Sequence, residues 1–337
     1  MAFYTTGLII IELVLIVLAS LAVVARIWAR KIKKSIIHLN DYLCIAALIL
    51  SAAFVTGSLT ATFFGGQGQH IQHLTSKQVT IVLKCFVGLE IMWSTANTAA
   101  KLSILHLYIQ IFCNRTFRHI ALGVMALTCC YCATVFLETF LVCRPVAYNW
   151  DKTIVGGKCG NQPTIYFSAG LMNLLLDIVI LVLPMPMLWG LKMPLFKKIA
   201  LTAVFGMGAG IISITVLRII YVKNLNFDDD ITYSVALVSL LSALEPTLGV
   251  INACLPVIQP VLHRIYSSLS ACGISLRSRA KSQKGILWSG SKARGSTDDN
   301  VPISISRKSN VSGSGSILSV EMGAWEESLA TSNLRFP

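Results

Sequence analysis

Charge is scarce in this chain. Only 13% of its 337 residues are Asp, Glu, Lys or Arg, and just 15 of them are acidic. A soluble domain carries about twice that share of charge. With 55% apolar residues, a water-soluble fold would have to leave large greasy patches exposed. An ordinary cytosolic or secreted globular enzyme is therefore excluded, and so is disorder over most of the length. Catalytic signatures are missing too: there is no Gly-x-Ser-x-Gly, no His-Glu-x-x-His and no phosphate-binding Walker loop. Nothing marks the chain as an enzyme.

What is present is lipid-compatible sequence, with a mean hydropathy of +0.70. Apolar runs long enough to cross a hydrocarbon core need about 20 residues. Seven occur, at about 7–27, 41–64, 80–110, 119–142, 164–188, 199–220 and 232–262. Lipid offers the backbone no hydrogen-bond partner, so each is expected to be a helix. The runs do not alternate in polarity as barrel strands would. The expected fold is an all-α membrane protein, a bundle of seven transmembrane helices over 1–266. Residues 267–337, rich in Ser, Gly and basic residues, read as a disordered tail.

The net charge of +13 does not form a nucleic-acid surface, because the basic residues fall in short clusters between the apolar runs. Counted by side, connectors 26–40, 113–119, 190–198 and 263–284 carry 15 Lys and Arg, and the opposite connectors carry 5. The positive-inside rule places the N-terminus outside and the tail in the cytosol, and the expected host is the plasma membrane. The first run lacks a basic stretch before it and reads as an uncleaved helix, not a signal peptide. The sequons at Asn114 and Asn310 then lie on the cytosolic side, away from glycosylation.

Ionisable groups inside the runs are costly and therefore informative. They are Glu12, Lys84, Glu90, Lys101, Glu138, Asp177, Arg218 and Glu245. Helical spacing puts Glu90, Asn97 and Lys101 on one stripe of the third run, Asn173 and Asp177 on one stripe of the fifth, and Glu245 and Asn252 on one stripe of the seventh. Three polar stripes in apolar helices imply a shared interior. Lys101 is expected to pair with Asp177 or Glu245, and Glu90 or Glu138 to lie near Arg218. Such a cluster either braces the bundle or serves a ligand or proton.

A retinal Schiff base needs an intramembrane lysine, which opsin-like proteins carry in the seventh helix. Segment 232–262 has none, so no cofactor is expected. No metal site is expected either: His70 and His73 are only two ligands, and Asp228-Asp-Asp230 reads as a solvated turn. Cys143 and Cys159 bracket the longest outer loop and can form a disulfide in an oxidising compartment. Cys85 competes as a partner for either. Pro184 and Pro186 end the fifth run, and Pro246, Pro256 and Pro260 are expected to interrupt the seventh. Gly206-Met-Gly-Ala-Gly210 offers a small-residue face for close helix contact. Ser278, Ser282 and Ser309 follow basic residues and are open to phosphorylation.

Several stretches resemble the fungal rhodopsin-like integral membrane proteins, a family that includes plant-surface-sensing receptor-like proteins and satratoxin-cluster-type membrane proteins. They are Ala100-Lys-Leu-Ser-Ile-Leu-His-Leu-Tyr-Ile-Gln-Ile-Phe112, Phe140-Leu-Val-Cys-Arg-Pro-Val-Ala-Tyr-Asn-Trp-Asp151 with Cys159, and Asn173 and Asp177 leading into Leu183-Pro-Met-Pro-Met-Leu-Trp189. Lys192-Met-Pro194, Phe205-Gly-Met-Gly208, and Glu245 with Ala253-Cys-Leu-Pro256 follow in family order. The resemblance implies a receptor-like seven-helix protein sensing an unidentified small molecule, linked to fungal secondary metabolism. A metabolite transporter and a membrane-embedded enzyme acting on a lipophilic intermediate are the alternatives. The family's usual Arg near the end of the third helix is Gln110 here, and no room precedes the first run for a Cys-rich module. Because the acidic-Arg-Tyr triplet of G-protein-coupled receptors is absent, coupling to a G protein is not expected.

Overall fold

The structure, a computed structural model, describes residues 2–68, 74–112, 114–151, 153–189, 195–223 and 235–258. The helices are α1 (Ala2–Ile32), α2 (Leu39–Gly65), α3 (Ser76–Ile111), α4 (Arg115–Leu141), α5 (Gln162–Val182), the short α6 (Met185–Trp189), α7 (Leu195–Lys223) and α8 (Val235–Ile258). Among the described residues, seven helical spans are long and apolar enough to cross a membrane. The expected tail at 267–337, Pro260, His70, His73, Asp228 to Asp230 and Asn310 lie outside the described residues.

The helix ends follow from local chemistry. Asp41, the third residue of α2, accepts a hydrogen bond from the His38 backbone N–H at 3.0 Å and satisfies one orphan donor at that end. Gln78 does the same for Thr75 at the start of α3. Asn114 caps α4 by accepting from the Thr116 N–H. Asn161 caps α5, with Pro163 in the first turn where its missing N–H costs nothing. Gly66 stops α2 in the left-handed region, at φ 71°.

α3 packs between α2 and α4, and α5 against α7. α8 lies at the centre: 67% of its most apolar window is buried within the protein, against 17% for α1. Its Val250, Ala253 and Cys254 join Ala99, Ala100, Cys44 and Ala47 in the main core. Outward faces stay apolar, with Leu21, Val24, Ile49 and Phe63 all at least 60% exposed. That surface is stable only against hydrocarbon.

One expectation about the prolines needs correction. α8 stays helical through Pro246 and Pro256, where interruption is read from the sequence. A proline in a spanning helix removes one N–H, and packed neighbours absorb the loss without ending the helix. The chain does break at Pro184, between α5 and α6.

In the glycine run of α7, the packed residue is Gly208. A Cβ there would lie 2.6 Å from Leu181 Cδ1 of α5, whereas Gly206 and Gly210 have no described atom within 4 Å of that position. Residues 206 and 210 share one face, about 200° round the helix from 208. Gly208→Val is therefore expected to cost about 1–3 kcal/mol by overpacking. Gly206→Ala should leave the unfolding temperature in detergent unchanged within about 0.5 kcal/mol.

Candidate functional site

The polar stripes do converge. Lys101 Nζ of α3 lies 3.1 Å from Asp177 Oδ1 of α5 and donates to Asn173 Oδ1 at 2.6 Å. Asn173, fully buried, donates onward through its amide nitrogen to Glu245 Oε1 of α8. The other oxygen of Glu245 faces Arg218 Nε of α7 at 3.4 Å, an ion pair without the alignment of a hydrogen bond. The Arg218 guanidinium lies over the Trp93 ring, 4.1 Å from its centroid. One continuous polar chain thus ties α3, α5, α7 and α8 together.

Of the two partners open to Lys101, Asp177 is the one paired. Glu245 is the ion partner of Arg218, while Glu90, expected near Arg218, lines the same cavity beside it. The reason is reach: Arg218 starts near the end of α7, but its long side chain extends inward over Trp93. Glu138 is half-buried on α4 and has no ion pair among the described residues. Asn97 and Asn252 are buried but stand outside the chain, with Asn97 Nδ2 and Asn252 Oδ1 unpartnered. Lys84 is exposed.

Beside Arg218 opens a cavity of about 300 Å³. Its wall is mostly apolar, from Val82, Leu83, Phe86, Val87 and Leu89 of α3, Tyr166 of α5, and Val235 and Val238 of α8. At its deep end are Glu90, Trp93, Arg218 and Ser242, and at its mouth are Gln67, Asn149 and Gln162. Glu90 is only half-buried because it faces this space. A largely apolar pocket with a few convergent polar groups is the usual form of a small-molecule site.

The mouth is shaped by a small hairpin. β1 (Cys143–Arg144) pairs antiparallel with β2 (Lys158–Cys159), and a disulfide joins Cys143 to Cys159. Between the strands a 3₁₀ turn, Val146–Asn149, delivers Asn149 to the cavity. Gln162 donates to Asn149 Oδ1 at 3.4 Å. Asp151 accepts from the Thr153 hydroxyl and backbone N–H, and these bonds hold its carboxyl below the usual range. Cys85 is a free thiol. Peptide mapping without reduction should therefore recover Cys143 linked to Cys159 and Cys85 alkylated. Cys143→Ser with Cys159→Ser is expected to cost about 3 kcal/mol, read as a lower unfolding temperature.

A second cluster, at the basic end of the bundle, is absent from the sequence reading. Arg26 Nε of α1 pairs with Asp41 Oδ1 of α2 at 2.8 Å, and Arg30 Nε lies 3.3 Å from Oδ2. Arg26 Nη1 also donates to the Ala253 carbonyl of α8 at 2.5 Å. Arg26 counts there only as a topology charge. The signal available was Asp41, a lone acid beside five basic residues at the start of an apolar run. Glu12 meets a third small group: Ser58 donates to its Oε1 at 3.2 Å, and the Ser58 and Ser239 hydroxyls are 3.2 Å apart. Cys129 and Cys132 stand three residues apart on α4. Among the described residues, however, no group of three His, Cys, Asp or Glu could hold a metal.

A seven-helix membrane bundle with a polar interior and a disulfide-tied hairpin at one end defines the class. The chain matches the fungal rhodopsin domain over residues 25–264 and belongs to that family. It is 25% identical over 262 residues to the polyenoic acids biosynthesis gene cluster protein Ba17b of Metarhizium anisopliae, covering 74% of this chain and 71% of the relative. It is 25% identical over 224 residues to a SAT4 family membrane protein of Emericella nidulans, covering 65% and 56%. It is 26% identical over 195 residues to Receptor GIN3 of Arthrobotrys oligospora, covering 57% and 46%. No solved structure matches.

Proposed function

We propose that this protein is a receptor-like sensor that takes a small molecule into the cavity beside Arg218. The observation that carries this reading is the cavity itself: an apolar space of about 300 Å³ ending on Arg218, one member of a polar chain that spans four helices. A ligand that engages Arg218 competes with Glu245, and Glu245 is linked through Asn173 to Lys101 and Asp177. Occupancy can thus bias the packing of α3, α5, α7 and α8, which is what a sensor requires. The name of the Arthrobotrys relative, a receptor, supports the same reading. In this reading the hairpin end faces outward, the basic end faces the cytosol, and the host membrane is the plasma membrane.

Metabolite export is the second reading, favoured by a relative named for a polyenoic acids biosynthesis gene cluster. Deletion of the gene, followed by metabolite and transcript profiling on the same cultures, separates the two. Sensing is expected to give a broad change in expression without a single accumulating intermediate. Product retained inside the cells would replace sensing with export. A lone precursor peak would replace both with a membrane-embedded enzyme.

A further inference from the structure

The deep end of the cavity offers more donors than it can use. Arg218 Nη2 and Trp93 Nε1 are buried and have no hydrogen-bond partner, and Asn149 Nδ2 at the mouth has none either. All three residues line the cavity and are at least nine-tenths buried. A buried donor left unmade is costly, so the missing partners are acceptors brought by an occupant. One group breaks the pattern: Glu90, a carboxyl in the same deep end, which needs a donor.

Charge narrows the occupant. Lys101 and Arg218 face Asp177, Glu245 and Glu90, so the acids already outnumber the bases around the polar chain. An anionic head would add to that excess in a region of low dielectric. An ammonium head would meet Glu90, but it would also abut the Arg218 guanidinium and leave the Arg218 and Trp93 donors unmade. An uncharged head with one acceptor and one hydroxyl satisfies those two donors and Glu90, and does not extend to Asn149 Nδ2 at the other end.

On the reading of the cavity as a sensor's ligand site, we propose that its ligand is an uncharged apolar molecule with a hydroxy-carbonyl head. The carbonyl oxygen accepts from Arg218 and Trp93, the hydroxyl donates to Glu90, and the apolar body lies along Leu83 and Phe86 toward Asn149.

The test uses the full chain in nanodiscs and four probes of matched length: methyl 3-hydroxydecanoate, methyl decanoate, decanoate and decylamine. Saturable binding is expected to be tightest for methyl 3-hydroxydecanoate. Trp93→Phe, which keeps an aromatic face but removes the N–H together with the second ring of the indole, should weaken it about threefold to tenfold. Glu90→Leu should abolish the preference for the hydroxylated ester over methyl decanoate. Tighter binding of decylamine or decanoate would overturn the proposed head group while leaving a ligand site in place. Binding that survives Leu83→Trp, or Val87→Phe should that variant not fold, would place the probes outside the cavity. Together with an unchanged transcript profile on deletion, that result would overturn the sensor reading as well. Absence of saturable binding by any probe, with the deletion response intact, overturns this inference alone.

Discussion

Lys101→Met is expected to lower the stability of the detergent-solubilised protein by about 3–5 kcal/mol, the usual result of removing one partner from a buried ion pair. Lys101 and Asp177 are 7% and 12% exposed at their side chains, so neither can turn to water. The loss is greater than one ion pair, because Lys101 also donates to the Asn173 side chain and backbone carbonyl. Asn173 in turn holds Glu245. The double variant Lys101→Met with Asp177→Leu removes both charges and should recover most of the stability. Thermal unfolding followed by circular dichroism reads both. If the single variant unfolds at the wild-type temperature, the polar chain does not brace the bundle.

Asp41→Ala is expected to have a comparable effect at the other end. Asp41 is the counter-charge for Arg26, which is 1% exposed, and it also caps α2. Its removal strands a buried guanidinium, at about 3–5 kcal/mol. The lost cap adds about 1 kcal/mol. Asp41→Asn keeps an acceptor for the His38 N–H and removes the charge, so the difference between the two variants isolates the cap. Cys44 and Cys254 provide the readout: they are fully buried, with sulfurs 3.6 Å apart, next to Ala253, whose carbonyl Arg26 holds. A thiol-reactive fluorophore should label them at a lower temperature in Asp41→Ala than in wild type. Equal labelling would show that Arg26 finds another partner and that the α1–α2–α8 clamp is not held by Asp41.

The polar residues divide by how much of their role spacing can reveal. Lys101, Asn173, Asp177 and Glu245 are legible because a charge in lipid must turn inward, and periodicity says which way inward is. Their pairing is not legible, since Asp177 and Glu245 are equivalent as sequence and differ only in how α5 and α8 are rotated. Trp93, Asn149 and Gln162 carry no anomaly: an indole in an apolar helix and two amides in a polar loop are ordinary there. Asn149 and Gln162 become part of a site only because the Cys143–Cys159 hairpin folds over the end of the bundle, and Trp93 only because Arg218 of α7 reaches over it. Arg26 and Asp41 sit at the edges of their runs, where charges are expected to meet water, so their burial escapes any count of residues in the runs.

Composition and the length of apolar runs by themselves determined the solvent, the secondary structure and the number of spans. Those properties follow from the cost of an unpaired backbone group in hydrocarbon, which any run of sufficient length incurs alone. The family likeness was also legible in the order of short motifs. The tertiary structure alone decided that Arg218 answers Glu245, that Gly208 is the point where α7 meets α5, and that a cavity lies between Glu90 and the hairpin. Each of these depends on the relative rotation and tilt of helices, and packing distant segments against one another sets those angles.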